Sequence, residues 1–531
     1  MIFSVPGWVS HRSYRTDDEC KVAISNEKSR EFLTLEDISA VLWTEISSSF
    51  GKEISTICSE NGFPFDDVME FIDELVMLGL LVSSTDAENT SIANELDIPL
   101  VSEEATDDVI DTESKIQQWA TSKGFLWTAT WEMTYRCNEE CLHCYNPGAS
   151  RNHTGRSRRG TQELKVSEWK VMLSELRDIG VFRLTLTGGE SLLRTDIFEI
   201  LENAKSLGFS ISLLTNGIVI NEDMANRLAQ LWLHRVELSV YSLDPEKHDA
   251  ITGINNSHKL TMRAAQLLID KKVPVMLKMV LTKNTLKDID GFHKLASALG
   301  CDSVVDGTLS IGNDGSPDTY NKLAPSAIEL IKSAMDPDNP LWCGTVELPR
   351  NIGTYNRSSD SPCFAGHAVM SISPEGNIYP CLAMPMYVGS QRVDGIKSVW
   401  QTSKKKTDSP LSKWKKVTVS DFGYCGKHAR CIWCQKCAGL SFLETGDETA
   451  PSSIKCRNAA ARMIAHRHVS DGGTVETMDE HALSTYQEVY REELSLWRDL
   501  NTTVNHIDLN EVKAILKERT KQRIFKDYSS E

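Results

Sequence analysis

The chain has 531 residues, a quarter of them charged, and a formal net charge of -17. That length corresponds to about three ordinary domains, and that charge argues against nonspecific binding to nucleic acid or to an anionic membrane, which both need basic patches. No run of about 20 apolar residues suits a membrane span, and no basic segment followed by an apolar core opens the chain. A soluble cytoplasmic protein is expected, with no nucleic-acid or membrane partner. Fourteen cysteines in so long a chain point to metal or redox centres rather than to a disulfide framework.

In chain order, residues 8–25 read as short strands around a polar turn at 16–19, and 35–50 and 64–78 read as helices. Val68, Phe71, Ile72, Leu75 and Leu78 share one apolar face at helical spacing. Gly79 stops that helix and Leu80, Leu81 and Val82 begin a strand. Strands followed by helices fit a small winged-helix domain over residues 1–83. Between 83 and 114 ten side chains are acidic and none is Lys or Arg, with Pro99 inside. Such a run cannot offset the entropy of ordering, so 84–114 is expected to be an extended linker. It would hold a segment bound to the first domain close to the next one.

After an apolar, aromatic-rich strand, the chain reads Cys137, then three residues, Cys141, two more, and Cys144. Three thiolates in one tight loop can hold three corners of an iron-sulfur cube and leave one iron open. The alternative is a zinc site with His143 as fourth ligand, although adjacent side chains rarely converge on one tetrahedral metal. Residues 181–187 alternate apolar and polar as a strand does and run into Gly188-Gly189-Glu190. Two glycines at a strand end permit close approach of a ligand to the backbone, and the carboxylate can accept from an ammonium group.

Strand-like runs at 209–214, 235–241, 273–281 and 302–311 then alternate with amphipathic helices. Six such units suggest an open parallel barrel with sites where the strands end. Seven cysteines fall late: Cys363, Cys381, Cys425, Cys431, Cys434, Cys437 and Cys456. The first two flank a predicted hairpin, 369–372 and 379–381 around a turn at 374–376, which can bring two thiolates to one metal. A zinc ribbon built from Cys431, Cys434, Cys437 and Cys456 is the alternative. The arginines of 151–159 read as a solvated loop, and Cys20, Cys58 and Cys301 as ordinary cysteines.

On these residues the chain resembles the radical S-adenosylmethionine (SAM) enzymes. The resemblance implies a partial (β/α)6 TIM-like barrel over 115–335, with Cys137, Cys141 and Cys144 on a 4Fe-4S cluster whose open iron chelates SAM. It implies that Gly188, Gly189 and Glu190 bind the methionine amino group and that Ser239, at the end of the fourth strand, meets the ribose. An electron donor such as flavodoxin or ferredoxin would drive cleavage of SAM to a 5'-deoxyadenosyl radical, which abstracts a substrate hydrogen. The late block, 336–460, resembles the SPASM extension, which holds two auxiliary 4Fe-4S clusters on Cys363, Cys381, Cys425, Cys431, Cys434, Cys437 and Cys456. It departs from that pattern in having only two residues between Cys434 and Cys437.

Two clusters need about eight thiolates, so either Cys343 supplies the eighth or one auxiliary iron is open to a substrate thiolate. Residues 1–83 resemble the PqqD-like element to which a leader peptide adds as an extra strand. Together these resemblances imply a maturase of a ribosomally made precursor peptide, forming a thioether as sactipeptide synthases do. A carbon-carbon crosslink, oxidation of a peptide residue and action on a small metabolite are the alternatives. The end of the chain, 461–531, is expected to be helical at 459–466, 480–500 and 509–526 and to pack outside the rest.

Overall fold

The computed structural model describes residues 1–48, 52–83, 112–146, 163–313, 318–343, 361–405, 408–423, 425 and 429–486. Most of the linker, the arginine loop at 151–159 and the helices expected beyond 486 lie outside these residues.

Among the described residues there are fourteen strands: β1 Phe3–Ser4, β2 Val9–Arg15, β3 Cys20–Asn26, β4 Glu31–Glu36, β5 Val82–Ser83, β6 Thr128–Glu132, β7 Arg183–Thr187, β8 Ser210–Thr215, β9 Arg235–Ser239, β10 Val275–Val280, β11 Asp302–Asp306, β12 Val369–Ile372, β13 Asn377–Tyr379 and β14 Gly389–Ser390. β2, β3 and β4 form an antiparallel sheet in that order, and β1 pairs with β5. Residues 35 and 36 belong to β4, so the expected helix starts at Asp37, and an additional helix, Ile54–Asn61, precedes Phe65–Met77. Val68, Ile72 and Leu75 of that last helix are buried in one apolar cluster with Val22 and Ile24 of β3, whereas Phe71 is partly buried and Leu78 is exposed.

The strands β6 to β11 are parallel neighbours in chain order, each pair joined by helical crossovers. This is the expected partial barrel, open at β11. Local sequence explains its crossovers. Asn221 accepts from the Met224 N–H at 2.9 Å and starts Glu222–Gln230; Asp244 with Pro245 starts Pro245–Thr252, which a left-handed Gly253 ends. At the other side β12 pairs in parallel with β6, and β13 and β14 follow antiparallel, so the late hairpin prolongs the barrel sheet from its first strand.

The β2–β4 sheet is seated on the end of the barrel where β7 and β8 begin. Arg12 donates to the carbonyls of Val181 at 2.7 Å and Leu207 at 3.1 Å, and the Ser10 hydroxyl to that of Phe209 at 3.0 Å. Glu27 accepts from the Ser210 hydroxyl at 2.7 Å. Tyr14, Ala23, Ile116, Ala120, Trp127 and Phe182 close the contact with an apolar cluster. The acidic linker therefore joins two parts that are already in contact. The helix Ser453–Ser470 runs unbroken through the boundary expected at 460. It is buried from Asn458 to Ala465 against the helix Ala327–Ala334, so this segment is a core helix rather than an outer cap.

Candidate active site

Successive strands of the barrel turn apolar side chains such as Ala129, Leu184, Leu213, Leu238 and Leu277 to the helices. The alternate positions, turned the other way by the strand period of two, include Thr130, Thr185, Ser212, Glu237 and Lys278. The inner face is polar, which suits a site rather than a packed interior.

At the mouth, the loop after β6 carries Cys137, Cys141 and Cys144. These thiols lie close enough to perturb one another electrostatically. Burial is the main cause raising all three above the ordinary thiol range, Cys137 to about 12. The charges of Glu190, Glu139 and Glu132 act on them in the same sense. As thiolates they would need a cationic centre to offset that cost, and bound iron is one. The loop is pinned from outside: Glu140 and Leu142 donate to the carbonyls of Thr252 and Ile251 at 2.8 and 2.9 Å. His143 turns its ring edge-on to Tyr241, centroids 4.2 Å apart, an engagement that a fourth zinc ligand would have to give up. Among the described residues no three His, Cys, Asp or Glu groups converge as for one metal ion.

The Gly-Gly-Glu strand end lies directly against this loop. Gly189 N–H donates to Thr134 at 2.7 Å and Glu190 N–H to Arg136 at 2.8 Å. A Cβ on Gly188 would fall 2.3 Å from the Thr134 oxygen, and one on Gly189 2.3 Å from that of Arg136; Gly188 also has φ +142°. The close approach these glycines allow is thus filled by the chain's own backbone, a different use from the one their spacing suggested. Glu190 is fully buried, and its carboxylate accepts from Leu192 N–H at 2.9 Å, the Thr215 hydroxyl at 2.7 Å and Asn216 N–H at 2.8 Å. A carboxylate has about four acceptor sites, so one remains for an ammonium group. Ser239 sits at the end of β9, its hydroxyl close enough to Tyr241 to bear on that phenol.

Three further residues brace the mouth. Arg194, 5 % exposed, donates to the Met133 and Leu164 carbonyls at 2.8 and 3.1 Å and pairs with Asp196 at 2.9 Å. Asn216 donates to Asn138 inside the cysteine loop at 2.7 Å. Asn216 lies in the Thr215-Asn216-Gly217 run directly after β8; nothing in the spacing marked Arg194 or Asn138.

The late cysteines fall into two groups. Cys363, Cys381 and Cys437 act on one another, and Cys425, Cys431, Cys434 and Cys456 do likewise. Burial is again the main cause of the raised thiol pKa values of Cys363, Cys381, Cys425, Cys434 and Cys456, about 12 for Cys381 and Cys434. In the first group main-chain N–H groups of Ala365, Ala383 and Ala438 face the sulfurs. In the second, buried Arg430 hydrogen-bonds to Cys456. Cys343 is buried in the core, with its N–H on the Ala334 carbonyl at 2.7 Å and the Arg462 charge acting on its thiol. Cys20 and Cys58 are buried in the N-terminal core, and Cys301 is partly buried.

A parallel partial barrel with three thiols at its mouth, prolonged by a cysteine-bearing hairpin, defines a class of redox enzyme. Residues 131–296 match the Radical SAM superfamily, and residues 363–438 match SPASM, an iron-sulfur cluster-binding domain. These two regions make the chain similar to radical SAM enzymes that carry a SPASM domain. The first domain implies a 4Fe-4S cluster and SAM, the second auxiliary iron-sulfur clusters. Among its relatives, the PqqA peptide cyclase of Rhizobium meliloti (strain 1021) is 25% identical over 280 residues, 51% of this chain and 72% of that protein. The AdoMet-dependent heme synthase of Methanosarcina barkeri (strain Fusaro / DSM 804) is 24% identical over 340 residues, 60% of this chain and 92% of that one. Among solved structures, Streptococcus suis SuiB bound to its precursor peptide SuiA covers 85% of this chain and 99% of its own at 14% identity and a TM-score of 0.47. No helix among the described residues is long and apolar enough to cross a membrane.

Proposed function

We propose that this enzyme matures a ribosomally made precursor peptide and closes a thioether between a cysteine sulfur and a carbon of that peptide. The observation that carries the radical chemistry is the pair of main-chain hydrogen bonds, 2.7 and 2.8 Å, that fix Gly189 and Glu190 to the cysteine loop. A 4Fe-4S cluster with SAM bound supplies, on one-electron reduction, a 5'-deoxyadenosyl radical able to take a hydrogen atom. Cys137, Cys141 and Cys144 hold the cluster, Glu190 keeps one acceptor site for the methionine ammonium, and Ser239 stands where the ribose would pass. A small electron-transfer protein such as flavodoxin or ferredoxin would serve as donor.

The peptide assignment is supported by the relatives named for peptide substrates and by the N-terminal unit. Among the described residues β4 pairs on one side only, so its free edge can accept a leader as a fourth strand. Cys363, Cys381 and Cys437 give three thiols to one auxiliary cluster, and Cys425, Cys431, Cys434 and Cys456 give four to the other. The incomplete set leaves a ligand position for a substrate cysteine, and that is why a thioether ranks above a carbon-carbon bond here. A small-metabolite enzyme is the second reading, favoured by the heme synthase match; it leaves the N-terminal unit without a role.

The test is anaerobic turnover of the cluster-loaded full chain with SAM, dithionite and the short peptide encoded beside it. Formation of 5'-deoxyadenosine together with a peptide lighter by two hydrogens and lacking one free thiol is expected. A peptide of unchanged mass despite SAM cleavage would refute the reading.

A further inference from the structure

The inner face of the barrel carries a feature that the cofactor sites leave unused. A cavity of about 440 Å³ lies between β9, β10 and β11 on one side and Pro340, Leu341 and the helix Ser453–Ser470 on the other. Its charged lining consists of Arg235, Lys278, Lys455 and Arg462 against Glu237 and Asp306, two more cations than carboxylates. In a chain of net charge -17, a cavity of opposite sign is a local specification rather than a sample of the composition.

The neighbours of these groups define where the surplus lies. Buried Glu237 is shared by two cations, Arg235 at 2.9 Å and Lys278 at 3.1 Å. Asp306 accepts from the Thr308 N–H at 2.9 Å, and the Lys455 ammonium donates to the neutral Thr308 hydroxyl at 2.8 Å. Arg462, 4 % exposed, donates to the main-chain carbonyls of Leu341, Trp433 and Pro340. Offsetting thiolate charge accounts for Lys455, which stands beside Cys434, Cys437 and Asp306, and for Arg462, beside Cys434 and Cys343. It does not account for the second cation on Glu237, which belongs to the opposite wall.

We propose that the cavity seats the carboxylate of an aspartate or glutamate in the peptide substrate, between Lys278 on β10 and Lys455 on the helix. The inference rests on the peptide-maturase reading and names the chemistry of one substrate residue. A carboxylate there gains charge-assisted hydrogen bonds in a partly desolvated site, and the cavity's volume falls in the ordinary range for ligand sites. Gln435 also lines the cavity, so a peptide anchored in it passes the Cys434–Cys437 turn.

The test needs no turnover. Capped Gly-Glu-Gly and Gly-Gln-Gly tripeptides are titrated against cluster-loaded full chain, with NMR line broadening as the readout. The acid should bind about tenfold or more tightly than the amide, with a preference that falls as salt rises. Lys278→Gln should erase most of it and Lys278→Arg should restore it. Equal binding of the two probes, or a preference unchanged in both Lys278→Gln and Lys455→Gln, overturns the inference. So does loss of SAM affinity in Lys278→Gln, which would assign the cationic wall to SAM's own carboxylate. A null result here alongside a peptide made lighter by two hydrogens would sink the anchor alone; unchanged peptide mass would sink the maturase reading whatever the probes do.

Discussion

The two cysteine regions are built from the same buried thiols but stand in opposite fields. Around Cys137, Cys141 and Cys144 the charges that bear on sulfur are carboxylates: Glu132, Glu139 and Glu190. Around Cys425, Cys434 and Cys456 they include Arg430, Lys436 and Lys455. Negative surroundings disfavour adding an electron to a bound cluster and positive ones favour it. The mouth is thus arranged as the stronger reductant, as SAM cleavage requires, and the SPASM side as the easier place for an electron to rest.

The largest expected effect separates the regions by function. Cys141→Ala should lower 5'-deoxyadenosine formation by about a thousandfold, whereas Cys434→Ala should keep it within roughly tenfold and lose the modified peptide. Equal loss in both, measured by chromatography of the nucleoside and mass spectrometry of the peptide, would break the division. Next comes the seat of the mouth. Gly189→Ala drives a Cβ into the Arg136 carbonyl and should destabilise that contact by about 1–3 kcal/mol. Iron content after reconstitution should fall at the loop cluster and hold at the SPASM clusters, as Mössbauer spectra can separate.

A smaller change tests the field itself. Arg430→Gln removes a buried positive charge beside Cys456 and should lower the potential of that cluster by on the order of 100 mV, taking about 6 Å and an effective dielectric of about 20. A redox titration followed by EPR would read it, and an unchanged potential would contradict the comparison. The smallest effect at neutral pH lies outside both regions and distinguishes acid damage to clusters from acid damage to the scaffold. Burial, with help from Arg12 and Lys205, lowers His11 to about 3. Below about pH 6.5 the unfolded chain takes up a proton that the folded one refuses, so stability falls with pH by up to about 1.4 kcal/mol per unit until near the folded value. Tryptophan fluorescence should show the N-terminal unit loosening between pH 6.5 and 4, and His11→Gln should flatten that slope.

The sequence made the barrel legible because each of its strands is a local pattern with a helix after it, and made the two cysteine blocks legible because their ligand spacings are local too. What it hid is long-range. The pairing of β12 with β6 joins residues some 240 apart in sequence, and no periodicity records it. Division of the late cysteines into three and four depends on where Cys437, at the N-cap of the helix Ala438–Thr445, and Cys456, in the first turn of Ser453–Ser470, arrive in space, not on the gaps between them. Gly188 and Gly189 were visible as glycines, but the carbonyls that exclude any side chain there belong to Thr134 and Arg136, more than fifty residues upstream. The seat of the N-terminal sheet was hidden for the same reason: Arg12 and Ser10 look like ordinary polar strand residues until Val181, Leu207 and Phe209 meet them.

That seat sets a ruler for any precursor. On the peptide-maturase proposal, a leader held on β4, at the base of the barrel, and a core held near Cys141, at its mouth, would sit at opposite ends of strands five or six residues long. At about 3.3 Å per residue such strands span close to 20 Å, and the path lies around the barrel, not through it. A precursor bound in that way would need roughly ten extended residues between its recognition segment and its first modified position. Shortening that spacer one residue at a time should end modification at a sharp threshold while leaving leader affinity untouched.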